Sequence, residues 1–242
     1  MPRSATRSNG PDALIITVQP GSTTTALVYP ADHDPVGAVL ILAHGAGAGQ
    51  RSPWMIQFAQ ALSALGVATV TFNFLYTEQR RRLPDRRPLL DACYRAVIES
   101  VRQHVDLATR SLFIGGKSMG GRIATHLAAE DRDLPVAGLV LLGYPLHPPG
   151  RPTERRDAHL PAVGRPMIFV QGSRDAFGTP LELMPVLDTI TPRPTLHVVE
   201  GGDHSLKIGK KDPARQAALI DDVHRAIVEW IRAKSRPTSR QS

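Results

Sequence analysis

The 242-residue chain predicts an α/β fold, a mostly parallel twisted sheet with helices on both faces. Two observations carry that expectation. From residue 38 onward, short apolar runs ending in glycine, proline or a polar turn alternate with helical stretches, the order that lays strands side by side with helices as crossovers. The runs are nearly continuous in apolar residues, as strands covered on both faces must be. With 42% hydrophobic and 21% charged residues the chain has the means to fill one core, so residues 13–233 read as a single domain between flexible tails, 1–12 and a basic 234–242.

Taken in order, "ALIITVQ" and "TTTALVYP" read as a hairpin, and "AVLILAHG" (38–45) as a buried strand. Residues 52–66 follow as a helix with Ser52 as N-cap, Pro53 in its first turn and Gly66 at its end. Then come the strand "VATVTFNFL" (67–75), a helix over 89–105, the strand "SLFIGG" (111–116) and a helix over 119–131. "VAGLVLLGYP", "PMIFVQGSRD", a helix near 180–190, "TLHVVEGGDH" and a helix near 214–234 complete the chain.

Composition limits the functions available. No apolar run approaches 18 residues, so no membrane span is expected. The first residues, "MPRSATRSNGPDA", hold no apolar stretch of a secretory leader. The single cysteine, Cys93, falls in step with Val97, Val101 and Val105, so it reads as core; one cysteine fits a reducing, cytoplasmic setting. The net charge of +7 is uneven: "RRRLPDRR" (80–87) alone holds five arginines and one aspartate. No aromatic residues interleave with that run, which reads as surface rather than a nucleic-acid site.

One stretch, "GGKSMGGR" (115–122), carries chemistry. As Gly-Lys-Ser it would end a phosphate-binding loop, but such a loop needs a glycine five residues before Gly116, where Ser111 stands, and "LFIG" between them is strand. As Gly116-Lys117-Ser118-Met119-Gly120 it is the G-x-S-x-G elbow, a strand-to-helix turn that presents a nucleophilic serine. Glycines two residues either side spare that turn side-chain clashes. A glycine-rich turn with an incidental serine is the simpler alternative, so the rest of the chain decides.

A serine hydroxyl needs a base to take its proton. His204, in the loop between the last strand and last helix, is the candidate; His197 lies inside a strand pattern, and His126 and His224 lie on helices. Asp175 ends a strand, where it accepts from the imidazole N–H, whereas Asp203 is too near in sequence to reach round the ring. Ser118, Asp175, His204 is the chain order of an alpha/beta-hydrolase triad, and all three fall at carboxyl ends of strands, where such sheets collect reacting groups.

The motifs "AHGAGAG", "TFNFLYTE", "GGKSMGGR", "LGYPLHPPGRP", "QGSRDAFG" and "GGDHSLK", spread over residues 43–207, resemble those of the dienelactone-hydrolase-like alpha/beta hydrolases. The nearest resemblance is to the small branch that includes testis-expressed protein 30. It implies an alpha/beta-hydrolase fold and acyl transfer to water, with one departure: dienelactone hydrolase itself uses a cysteine nucleophile where this elbow carries Ser118. Met119 N–H then supplies one arm of the oxyanion hole and Ala46, after His44-Gly45, the other, with Gly47 as fallback. His44 either holds that loop by hydrogen bonding or is simply the residue that ends its strand.

The expected activity is that of a serine esterase on small soluble carboxylic esters, with thioesters a variant and no metal or organic cofactor. Lys117, Glu78 and His147 are secondary substrate-binding candidates. Lys117 and Arg122 would favour an anionic group, but a helix-start lysine and a surface arginine are more simply solvated, and His147 and Arg151 are more simply exposed loop residues. Residues 146–165 are short, charged and proline-rich, which predicts no lid domain. The rival reading is a non-catalytic hydrolase-fold module that binds a protein partner.

Overall fold

The computed structural model describes residues 10–31, 35–104, 107, 110–209 and 212–235. Its strands are β1 (Asp12–Gln19), β2 (Ser22–Tyr29), β3 (Ala38–Ala43), β4 (Ala68–Phe72), β5 (Ser111–Lys117), β6 (Gly138–Leu142), β7 (Met167–Gly172) and β8 (Thr195–Val199). They form one sheet in the order β1-β2-β4-β3-β5-β6-β7-β8. The β1–β2 hairpin meets β4 antiparallel, and every pairing from β4 through β8 is parallel.

Alternation along β3 shows why this central strand is wholly apolar. Val39, Ile41 and Ala43 enter the core layer with α3 (Arg87–Gln103), α4 (Met119–Glu130) and α5 (Pro180–Leu187). Ala38, Leu40 and Leu42 enter the opposite layer, with α1 (Pro53–Ala64) and α6 (Pro213–Lys234). Successive side chains point to opposite faces, so a strand with helices on both sides buries every position, and the buried polar exceptions, Thr69 and Thr71 in β4 and Gln171 in β7, are hydrogen-bonded. Cys93 lies in the first layer, and its burial pushes the thiol up to about 12.

Local chemistry moves several predicted boundaries. Ser52 precedes α1 in extended conformation, yet its side chain caps nothing; Pro53 and the positive φ of Gly66 mark the ends instead. The helix expected over 89–105 begins two residues earlier, with Pro88 in its first turn, and Val105 lies outside the described residues. The strand expected to run to Leu75 stops at Phe72. There the backbone leaves the ladder: the Phe74 N–H donates to His44 Nε2 (3.2 Å) and the Tyr76 N–H to Asp85 Oδ2 (3.0 Å). The chain turns into a single helical turn, α2 (Leu75–Glu78). Between β6 and β7 the only helical element is a 3₁₀ turn, Leu160–Ala162, which lies against α4, so there is no lid domain.

Candidate active site

Parallel register brings the ends of β3, β5 and β6 together, with Ala43 beside Gly116 and Lys117 beside Leu142. Ser118 follows directly, at φ 50° and ψ −114°, a conformation that ordinary residues adopt only under strain. The close approach on either side requires glycine. A Cβ on Gly116 or Gly120 would come within 2.5 Å of the Ala43 carbonyl oxygen, so no other residue fits. The Ser118 N–H is anchored to the Leu142 carbonyl at 2.9 Å, and α4 starts at the next residue.

Three side chains meet there. The Ser118 hydroxyl lies 2.9 Å from His204 Nε2, and His204 Nδ1 lies 2.8 and 3.0 Å from the two carboxylate oxygens of Asp175. Because a carboxylate only accepts, Nδ1 carries the proton and Nε2 is left as acceptor for the serine. Asp175 is 1% exposed and fully committed: Gln171 Nε2 donates to one oxygen (2.9 Å) and the Phe177 N–H to the other (2.8 Å). The Phe177 ring stacks on His204 at 4.1 Å, so one residue fixes both the acid and the imidazole plane. Asp203 faces elsewhere, accepting from the Ser205 and Lys207 N–H groups to close its own turn.

These residues open onto a cavity of about 540 Å³ lined by Ala46, Trp54, Lys117, Ser118, Met119 and His204 among others. Met119 is the first residue of α4, where the unsatisfied amides and the helix dipole favour negative charge. Ala46 faces the same space from the loop after β3. His44 holds that loop: it is buried, its Nδ1–H donates to the Gly45 carbonyl at 2.8 Å, and its Nε2 accepts from Phe74. Burial keeps this imidazole neutral by pushing its pKa down. Lys117 lies 5.6 Å from the centre of the Trp54 ring, and burial likewise lowers its pKa.

Other expected site residues lie elsewhere. Glu78 accepts from the Thr25 N–H (2.9 Å) and from Asn73 (3.2 Å), tying α2 to β2, and does not line the cavity. His147 is buried, not an exposed loop residue. It lies between the Pro148 carbonyl and Glu182, whose other oxygen completes the Thr179 capping box of α5. Gly47 lines a second cavity of about 470 Å³ with Tyr76, Thr77, Arg80, Arg81 and Arg82, which meets the first at Ala48. Arg87 turns away to Asp91 and Glu130. Sequence reasoning missed Phe177, Gln171, Arg156 and Lys207. It also took Arg122 for surface, whereas Arg122 is half-buried and faces the cavity.

A strained serine at the tip of a central parallel strand, in a sheet of this strand order, defines the alpha/beta-hydrolase class. The chain belongs to the alpha/beta hydrolase domain family, which matches residues 36–232. Among solved structures it is similar to a lidless alpha/beta serine hydrolase of Xanthomonas campestris (21% identity over 97% of this chain and 100% of the other, TM-score 0.71). A dienelactone hydrolase of Anabaena variabilis is similar at 22% identity, over 94% and 100% of the two chains, with TM-score 0.69. Est1E of Butyrivibrio proteoclasticus, solved with ferulic acid bound, is similar at 16% identity, over 92% and 99%, with TM-score 0.70. No helix among the described residues is long and apolar enough to cross a membrane.

Proposed function

We propose that the protein is a serine esterase that cleaves small soluble carboxylic esters through a seryl-acyl intermediate, with thioesters as chemically related substrates. The observation that carries this reading is the continuous hydrogen-bonded chain from Asp175 through His204 to Ser118 on a strained elbow. In the reaction, Ser118 Oγ attacks the acyl carbon while its proton passes to His204 Nε2, and Asp175 stabilises the imidazolium. The Ala46 and Met119 N–H groups receive the charge that develops on the carbonyl oxygen. Collapse expels the alcohol with the proton from His204; a water then repeats the sequence, releasing the acid and restoring the serine. Every proton has a place on these three side chains, so the reading requires no cofactor.

Within the superfamily, the ordered motifs over residues 43–207 support placement among the dienelactone-hydrolase-like members near the testis-expressed protein 30 branch. The single buried cysteine supports a cytoplasmic setting. A fluorophosphonate probe tests the reading. It should label Ser118 and nothing else, and Ser118→Ala should lose both labelling and turnover of p-nitrophenyl acetate. Undiminished turnover by that variant would refute the mechanism.

A further inference from the structure

Four cationic side chains, Lys117, Arg122, Arg156 and Lys207, line the 540 Å³ cavity beside Ser118, and no carboxylate does. The lysines differ from the arginines. Lys117 has the Trp54 face below it and feels Asp175 and Asp203, which oppose the effect of its burial. Among the described residues neither Arg122 nor Arg156 lies over an aromatic ring, and Glu154 offsets the burial of Arg156 only in part. Arg122 sits one helical turn beyond Ser118, its N–H donating to the Ser118 carbonyl at 3.1 Å, and its Nε is buried without a partner. Arg156 reaches the cavity from the segment between β6 and β7; burial first, then Arg122 and Arg151, lower its pKa. Neither arginine forms an ion pair among the described residues, whereas exposed neighbours such as Arg151 and Arg155 do.

Two guanidinium groups held near each other and partly out of water are costly unless an anion completes them. Nothing among the lining residues supplies that anion. We propose that Arg122 and Arg156 form an anion subsite that takes a free carboxylate carried by the substrate. The planar guanidinium fork matches a carboxylate with two parallel hydrogen bonds. Because Arg122 is one turn from the nucleophile, the carboxylate lies only a few bonds from the scissile ester, and the substrate is a compact ester acid. This inference rests on the esterase reading of the same site.

Two matched pairs of esters test it. Monomethyl adipate against methyl adipamate puts the charge on the acyl side; 4-acetoxybenzoate against 4-acetoxybenzamide puts it on the alcohol side. In the unaltered protein kcat/KM should favour the acid in at least one pair by roughly tenfold or more, within the range of a charged hydrogen bond. Arg122→Gln and Arg156→Gln should each bring that ratio towards one through KM, with fluorophosphonate labelling used to establish that each variant is folded. Arg193→Gln, at an exposed arginine paired with Asp188, should keep the original ratio. A measurement independent of the variants is protection: benzoate should slow labelling of Ser118 in the unaltered protein and benzamide should not.

Ratios near one in both pairs, or ratios untouched by both substitutions, would overturn the subsite while leaving the esterase standing. Equal protection by benzoate and benzamide would do the same. Failure to label Ser118 or to turn over any of the four esters would overturn the esterase reading itself.

Discussion

Replacing Asp175 by asparagine separates the geometry of the site from its charge. The carboxylate accepts three N–H donors: His204 Nδ1 across both oxygens, Gln171 Nε2 on one and the Phe177 N–H on the other. Asparagine is the same size but has one acceptor and one donor. If its oxygen faces Gln171 and His204, its amide opposes the Phe177 N–H, leaving a buried donor unpaired at a cost of about 1–3 kcal/mol. If it turns over, its amide opposes His204 Nδ1 and drives the proton to Nε2, so the imidazole no longer accepts from Ser118. Both arrangements also remove the charge that stabilises the imidazolium. We expect kcat to fall about 10⁴-fold, as for the equivalent change in other triads, equivalent to about 5.4 kcal/mol of barrier. Stability should fall by far less than a typical total of about 5–15 kcal/mol, so the variant stays folded. Turnover of p-nitrophenyl acetate and thermal unfolding read the two effects separately. A kcat loss under about tenfold, with Asp203→Asn more damaging than Asp175→Asn, would refute the assignment of the acid.

Further outcomes are expected. Ser118→Gly should unfold at a higher temperature than Ser118→Ala, because only glycine relieves φ 50°, ψ −114°; relief of about 1 kcal/mol would raise Tm by roughly 2–4 °C. His126 and His159 stack at 3.6 Å and are held neutral by burial, with pKa values lowered to about 3 and about 4. The unfolded chain therefore binds more protons between those values and about 6.5, so stability is full above that window and declines as pH falls through it. His126→Asn with His159→Asn should flatten that decline in urea titrations, and an unchanged slope would contradict it. Arg80, Arg81 and Arg82 line a second cavity next to the first, so kcat/KM for an anionic ester should fall with ionic strength, and less so after their replacement by glutamine. A salt-independent rate would make the run mere surface. With no lid, p-nitrophenyl esters from acetate to palmitate should be cleaved fastest at the short end; a maximum at palmitate would reveal a lipid-binding surface.

The fold was legible because its signals are local and repeated. The central strands are mostly apolar runs, each βα unit repeats the pattern, and G-x-S-x-G names a turn whose glycines the Ala43 carbonyl demands. The meeting of Ser118, Asp175 and His204 was legible for a related reason, since strand order alone sends all three to one end of the sheet. What escaped was whatever depends on direction rather than position. Glu78 and His147 stand in suggestive motifs, but their oxygens and nitrogens are spent on the Thr25 N–H and on Glu182. Nothing in a linear pattern reveals such satisfaction.

Arg122 and Arg156 erred in the opposite sense. Arginines are usually exposed, and Arg156 lies among three others at Arg151, Arg155 and Arg165 in a segment read mainly for the lid it lacked. Yet the cavity takes one residue from that segment, the rest of its wall coming from the loop after β3, the start of α1, the elbow, Pro145, Phe177 and the His204 loop. Arg156 is the charged residue of that segment that lines the cavity. Where a lid would have added apolar surface, this segment adds a guanidinium to the cavity. The same short segment that argues against long acyl chains argues for a charged substrate.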